Sequence, residues 1–225
     1  MVSIIIPVLN EERNIKGLLE QLNTLDGKKE IIVVDGGSCD RTVEIAADYA
    51  RVICSEKGRA KQMNKGAEAA KGDILWFVHS DSIVHERSLQ AMYRAVSQGY
   101  AGGGFSLYFY DYPTKFMKFV AITSNMRAKY FGLFFGDQGI FVKKSVFFQL
   151  GEYPDIELME DWEFSRKLFK TSKTVVLDVP LGTSARRFKK RGQLRTLLLM
   201  HKIKLLYILG VHPSKLKEMY REVRS

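Results

Sequence analysis

Cysteine is scarce. Cys39 and Cys54 are the only two in 225 residues, which excludes a disulfide scaffold in a chain long enough to need no staples. Both lie among strand-like residues and are expected as buried thiols in a reducing compartment. No run of about 18 apolar residues exists, so no helix is expected to span a bilayer. Met1 to Val8 is apolar but has no preceding positive charge, and Pro7, Asn10, Glu11 and Glu12 follow at once. It does not read as a secretory signal, and a cytoplasmic location is the expectation. Internal repeats, low-complexity tracts and linkers are missing as well. Disorder as the main state is excluded by what is abundant: 14 Phe, 10 Tyr and 2 Trp offer ample surface to bury. Length fits one domain with a C-terminal extension.

Acids are missing from one stretch. None stands between Asp178 and Glu218, where Arg186, Arg187, Lys189, Lys190, Arg191, Arg195, Lys202, Lys204, Lys215 and Lys217 contribute ten positive charges. The whole chain carries +10, so the remainder sums to about zero. A neutral body with a basic C-terminal region implies an anionic partner on that side.

The first hundred residues alternate between two periods. Val2 to Val8, Glu30 to Val34, Arg51 to Ser55 and Ile74 to Val78 read as strands, the last apolar throughout, as at the centre of a parallel sheet. Between them, Ile15 to Leu25, Val43 to Ala50 and Arg59 to Ala70 repeat at helical spacing, and Glu86 to Gln98 follows. Asn10 is expected to cap the first helix, with Glu11 and Glu12 in its first turn, and Asp40 the second. This alternation predicts βαβ units: an α/β fold with a Rossmann-like, mostly parallel sheet flanked by helices. Further strands are expected at Gly102 to Tyr110, Gly139 to Val142 and Thr174 to Val179. A partly helical aromatic stretch is expected at Pro113 to Phe135, and helices at Glu160 to Thr171, Leu194 to Leu209 and Pro213 to Val223. Residues 1–180 are read as the main domain and 181–225 as a basic helical extension packed on it.

In such sheets ligands bind beyond the carboxyl ends of the strands. The segments there hold most of the half's acids, glycines and imidazole. In VVDGGSCD, Asp35 ends a strand and can accept hydrogen bonds from a nucleobase or ribose, while Gly36 and Gly37 allow a sharp turn. In HSDS, Asp81 can hold a hard divalent cation together with phosphate oxygens, or merely cap a helix. His79 beside it suits a ribose or phosphate, or a polar niche. In KGRAKQMNKG, Lys57 and Arg59 precede a helix N-terminus, which suits a diphosphate; a solvated basic turn is the plainer reading. In MEDWEFSRKL, Glu160 and Asp161 open a helix next to Trp162. A carboxylate beside an aromatic platform suits a hydroxyl acceptor, with Asp161 as general base.

Taken in order, PVLNEE, VVDGGSCD, KGRAKQMNKG, HSDS and MED resemble the family-2 glycosyltransferases of the GT-A fold over roughly residues 2–180. TSARRFKKRG is also similar to a small bacterial subgroup of unassigned acceptor. The resemblance implies transfer of a sugar from a nucleoside-diphosphate sugar, with inversion, assisted by Mg2+ or Mn2+. Pro7, Glu11, Asp35 and Gly37 would line the nucleoside pocket. Lys57, Arg59 and His79 would approach the nucleotide, Asp81 would bind the metal, and Asp161 would deprotonate the acceptor. Asp137 and Gln138 of FGDQG, with Glu160, Trp162 and Arg186, would line the acceptor or donor-sugar site. Two departures stand out. His79 replaces the first acid of the family's D-x-D element, which leaves the metal resting on Asp81. Gly36 stands where many members carry a second Asp.

Leu194 to Leu209 combines leucines with basic neighbours, a composition suited to an anionic membrane surface or to packing on the domain. A lipid or lipid-linked acceptor would fit it. Rival readings are an S-adenosylmethionine-dependent methyltransferase, whose glycine loop should follow the first strand rather than the second, and a basic polyanion-binding module. Nucleic acid is the less expected partner, since it leaves Asp35, Asp81 and Asp161 without a role.

Overall fold

The computed structural model describes residues 1–221. Glu222 and Val223, at the expected end of the last helix, lie outside the described residues. Strands β1 (Val2–Val8), β2 (Lys29–Asp35), β3 (Arg51–Cys54) and β4 (Ile74–Phe77) alternate with helices α1 (Ile15–Thr24), α2 (Thr42–Ala47) and α3 (Arg59–Ala69). Then come α4 (Ser88–Ser97), β5 (Gly102–Phe109), α5 (Lys115–Phe131), β6 (Phe141–Lys143), α6 (Lys144–Gln149), α7 (Glu160–Thr171) and β7 (Thr174–Thr183). Three helices end the described chain: α8 (Arg186–Arg191), α9 (Gln193–Ile208) and α10 (Pro213–Arg221).

The strands form one sheet in the order β3-β2-β1-β4-β6-β5-β7. β6 runs antiparallel to both neighbours and the other pairings are parallel. Period-two alternation sends Ile4 and Ile6 into one core, with α1 and α4, and Ile5 into the other, with α3 and α7. Both faces of β1 are covered, so apart from the buried Ser3 its sequence is apolar without alternation.

Five expectations need correction. Asn10 caps no helix: it takes φ 56° and its side-chain oxygen accepts from the Cys39 amide at 2.8 Å, tying two rim loops together. α1 starts only at Ile15, so Glu11 and Glu12 lie in that loop. Cys39 and Cys54 are exposed, because Cys39 sits in the rim loop and Cys54 ends β3, the sheet's edge strand. β7 does not stop at Val179. It passes Pro180 and runs to Thr183, with a register shift that sets Phe105 opposite Leu177 but Ser106 opposite Pro180. Asp40 stands one residue before the cap position of α2, Arg41, rather than at it, and from there its carboxylate accepts from the Thr42 amide at 3.0 Å.

Candidate active site

The loops after β1, β2, β3 and β4 meet at one rim. Asp35 closes β2, buried at 5% exposure. Its carboxylate accepts from the Gly37 and Ser38 amides at 3.0 and 3.1 Å and from the Ser38 hydroxyl at 2.5 Å. Gly37 has φ 93°, a conformation a side chain would strain. Gly36 is explained by a neighbour. A Cβ there would fall 3.0 Å from the side chain of Gln62. Gln62 is buried and donates to the Val8 and Val34 carbonyls at 2.7 and 2.8 Å, closing the ends of β1 and β2. A side chain after Asp35 would need the Gln62 amide to give way by a few tenths of an ångström.

Pro7 pairs with Val34 in the sheet. Glu11 accepts from Asn14 at 2.7 Å, and its other oxygen lies 3.8 Å from Arg186. Arg186 also reaches Asp81 at 3.3 Å. One guanidinium at the start of α8 therefore spans two rim carboxylates. Burial, with Glu11 nearby, pushes the Asp81 carboxyl up, although Arg186 and Arg187 counter it. Lys57 stands exposed in the loop before α3.

Arg59, the first residue of α3, reaches toward α7 and stays partly exposed. It donates through Nε to Glu160 and through a terminal nitrogen to Asp161 at 3.2 Å. Met159 takes φ 73° just before α7, a left-handed turn that costs a side chain of order 1 kcal/mol. It delivers Glu160 and Asp161 in succession. Asp161 is also held from the opposite loop: its Oδ2 accepts from the Gly136 amide at 2.9 Å and its Oδ1 from the Trp162 amide at 2.8 Å. Although burial opposes its charge, Glu160 and Asp161 raise the Arg59 pKa further. Glu160 lies deeper, at 1% exposure, and burial pushes its carboxyl up despite Arg59. Burial, with both carboxylates, likewise holds the Tyr153 phenol well above its ordinary value.

The FGDQG loop covers His79. A Cβ at Gly136 would fall 2.5 Å from the His79 ring nitrogen Nε2, so the backbone passes there only without a side chain. Asp137 presents a buried Oδ1 with no hydrogen-bond partner among the described residues. Burial raises its pKa against the pull of Arg127, Arg187 and Arg59. Gln138 turns inward instead. It is fully buried, and its oxygen accepts from Arg127 at 2.8 Å. Trp162 lies tilted against Phe135 with ring centroids 5.9 Å apart.

Two cations were missed in the sequence. Arg127 on α5 lies 4.1 Å above the Phe135 ring centre, and Lys204 on α9 lies 5.9 Å from it. Burial, then Arg127, pushes Lys204 down to about 8. Their signal was weak: Arg127 is a lone arginine in an aromatic helix, and Lys204 is one basic residue among many.

A divalent cation fits the donor set at Asp81. Magnesium and manganese take hard oxygen ligands, commonly one or two carboxylates plus substrate phosphates. Among the described residues no three acidic, histidine or cysteine side chains group into a protein-only cage. Asp81 and the unsatisfied Asp137 oxygen are both hard donors, and Asp81 is among the charges felt by Asp137.

Comparison with known proteins agrees with this geometry. A model of the family described as "Glycosyl transferase family 2" matches residues 3–150. The putative glycosyltransferase EpsH of Bacillus subtilis is 37% identical over 102 residues, 41% of this chain and 29% of that one. The glycosyltransferase AglE of Haloferax volcanii is 28% identical over 177 residues, 68% of this chain and 56% of that one. The chain thus spans from under a third to just over half the length of these two relatives. Among solved structures, the mannosyltransferase PcManGT of Pyrobaculum calidifontis, in complex with GDP-Man and Mn2+, superimposes with a TM-score of 0.66 at 18% identity. The match covers 99% of this chain and 68% of that one. Glucosyl-3-phosphoglycerate synthase of Mycobacterium tuberculosis, with Mn2+, UDP and glucosyl-3-phosphoglycerate, gives 0.56 at 19% identity, covering 81% and 70%. At these identities the structural likeness establishes the GT-A fold.

Proposed function

Because this chain belongs to glycosyl transferase family 2, we propose that it moves a sugar from a nucleoside-diphosphate sugar to an acceptor hydroxyl, inverting the anomeric centre. The observation that supports this most is the joining of two rims by Arg59, which links the nucleotide-side helix α3 to Asp161 across the cleft. Asp35, with both oxygens anchored by the turn it caps, faces the nucleoside together with Pro7, Glu11 and Gly37. His79, under Gly136, meets the ribose or the first phosphate. Lys57 stays exposed at the mouth and attracts the diphosphate. Asp161 takes the proton of the attacking hydroxyl, held in place by Arg59 and the Gly136 amide. Trp162 and Phe135 offer the apolar face against which a sugar or hydroxyl-bearing acceptor lies.

Asp81 would hold Mg2+ or Mn2+, whose charge would stabilise the departing nucleoside diphosphate. Arg186 fills a related role in the free protein. It sits between Glu11 and Asp81 and offsets their charge. On donor binding it is free to turn to the diphosphate. Asp137 would contribute its unpartnered oxygen to the donor sugar, and Gln138 positions Arg127 from within.

Release of nucleoside diphosphate from a panel of nucleotide sugars tests this reading. Wild type should need a divalent ion and lose activity with chelator. Asp81→Ala should release product roughly a hundredfold more slowly, the scale of losing several kcal/mol of charge stabilisation. Release that ignores both chelator and Asp81→Ala would move the metal site elsewhere.

A further inference from the structure

The outer faces of α5 and α9 are apolar, and both helices lack acids altogether. On α5, Phe119, Ile122, Met126 and Tyr130 are each between 52% and 62% exposed. At 3.6 residues per turn they fall within an arc of roughly 80°. Leu194, Leu198, Leu205 and Ile208 of α9, with Leu209 just after it, are between 58% and 70% exposed. They fall within roughly 100° of one another. Lys115, Lys118 and Lys129 flank the first stripe, and Arg195 and Lys202 the second.

The two helices start together and share one apolar cluster. Gln193 donates to the Thr114 hydroxyl at 2.9 Å where both begin. Leu197 and Met200 pack with Met117 and Val120 along them. Helix α9 is therefore apolar on the side that meets the body and apolar again on the side that meets solvent. A helix apolar all round is normally buried. Here the body covers only one side, and contiguous exposed apolar surface of this kind marks an interaction site.

We propose that an anionic lipid bilayer covers this face, with α5 and α9 lying in the plane of its headgroups. Exposed Phe, Tyr, Met and Leu rimmed by Lys and Arg is the composition of an interfacial helix. The complementary charge is on the lipid, since cytoplasmic leaflets carry a negative surface potential. A second copy is the poorer occupant, because two-fold pairing would press one acid-free basic face against another. The inner sides of the same helices carry Arg127 and Lys204, which flank Phe135 beside Trp162 and Asp161. Docking thus brings the acceptor side of the cleft to the membrane, and the acceptor is a lipid-borne hydroxyl. That last clause rests on the glycosyltransferase reading; the docking itself does not.

Co-sedimentation of the full chain with vesicles tests it, using phosphatidylcholine alone or with about one-third phosphatidylglycerol. The protein should partition at least about tenfold more strongly to the anionic vesicles, and salt should weaken the binding. The triple variant Ile122→Glu, Leu198→Glu, Leu205→Glu changes only exposed positions. It should lose about tenfold or more of that binding while its thermal midpoint and nucleotide binding stay at the wild-type value. Three outcomes overturn the proposal: equal partition to both vesicles, a variant that binds as wild type does, or a wild-type dimer that the variant makes monomeric. Failure to bind any nucleotide with vesicle binding intact would count against the transferase reading and leave the docking supported.

Discussion

Asp161→Asn is expected to slow sugar transfer by about a thousandfold, within the range for losing a positioned general base, while donor affinity stays unchanged. Asp161 sits at the junction of three elements, taking hydrogen bonds from Arg59 on α3, from the Gly136 amide and from Trp162 on its own helix. Asparagine keeps the size, and with its oxygen in the Oδ2 place it can still accept from Arg59 and the Gly136 amide, giving up only the bond from the Trp162 amide, so the loop and the donor site should hold. It cannot take a proton. The loss should therefore appear in kcat, with KM for the donor little changed. Glu160 is the internal control: its Oε1 is engaged by Arg59 and its Oε2 is buried without a partner. Transfer that survives Asp161→Asn but fails in Glu160→Gln would reassign the base to Glu160.

The second large effect is on stability as well as activity. Arg59→Met removes the cation that faces both carboxylates of α7. Glu160, at 1% exposure, would then be a buried charge beside a like charge. Breaking a buried ion pair typically costs 3 to 5 kcal/mol, and Arg59 is partly exposed, so a loss of about 3 kcal/mol at neutral pH is expected. The pH dependence has a definite sign. Burial already raises the Glu160 pKa above its ordinary value in the folded state, and losing Arg59 raises it further. The native state then holds a proton that the unfolded chain releases, so the penalty grows as pH rises and fades below the unfolded value. Urea midpoints of Arg59→Met should approach those of wild type near pH 4 to 5 and diverge toward neutrality. Adding Glu160→Gln should recover most of the loss, because the pair couples. A variant equally destabilised at every pH would mean that Arg59 acts through packing alone.

The βαβ half was legible because its signals are local. β1, β2 and β4 are covered on both faces and are built on apolar runs, residues 4–8, 31–34 and 74–77, and the polar residues between elements fall on the rim that the topology requires. What was not legible depends on contacts across the fold. Asn10 has the composition of a helix cap, but its side chain spends its hydrogen bond on Cys39, 29 residues away. Pro180 reads as a strand end, since proline lacks a ladder donor, yet a register shift carries β7 past it. Cys54 looked buried because strand residues usually are, and only the strand order reveals that β3 is an edge. At the site, Asp35, Asp81 and Asp161 were visible one by one. That Arg59 would turn to Glu160 and Asp161, about a hundred residues downstream, and that Arg186 would reach Asp81, required the sheet to bring them together. Arg127 and Lys204 converge on Phe135 only because the fold brings α5 and α9 to one apolar cluster.

The central claim is that this rim binds a nucleoside diphosphate together with a divalent ion. A thermal-shift series of nucleoside diphosphates, each with and without manganese, tests it most directly, because a ligand of the native state raises its apparent stability. One diphosphate should raise the midpoint with manganese and lose most of that shift when the metal is withheld or Asp81 is replaced by Ala. No shift with any diphosphate, or a shift indifferent to the metal and to Asp81, would contradict the account.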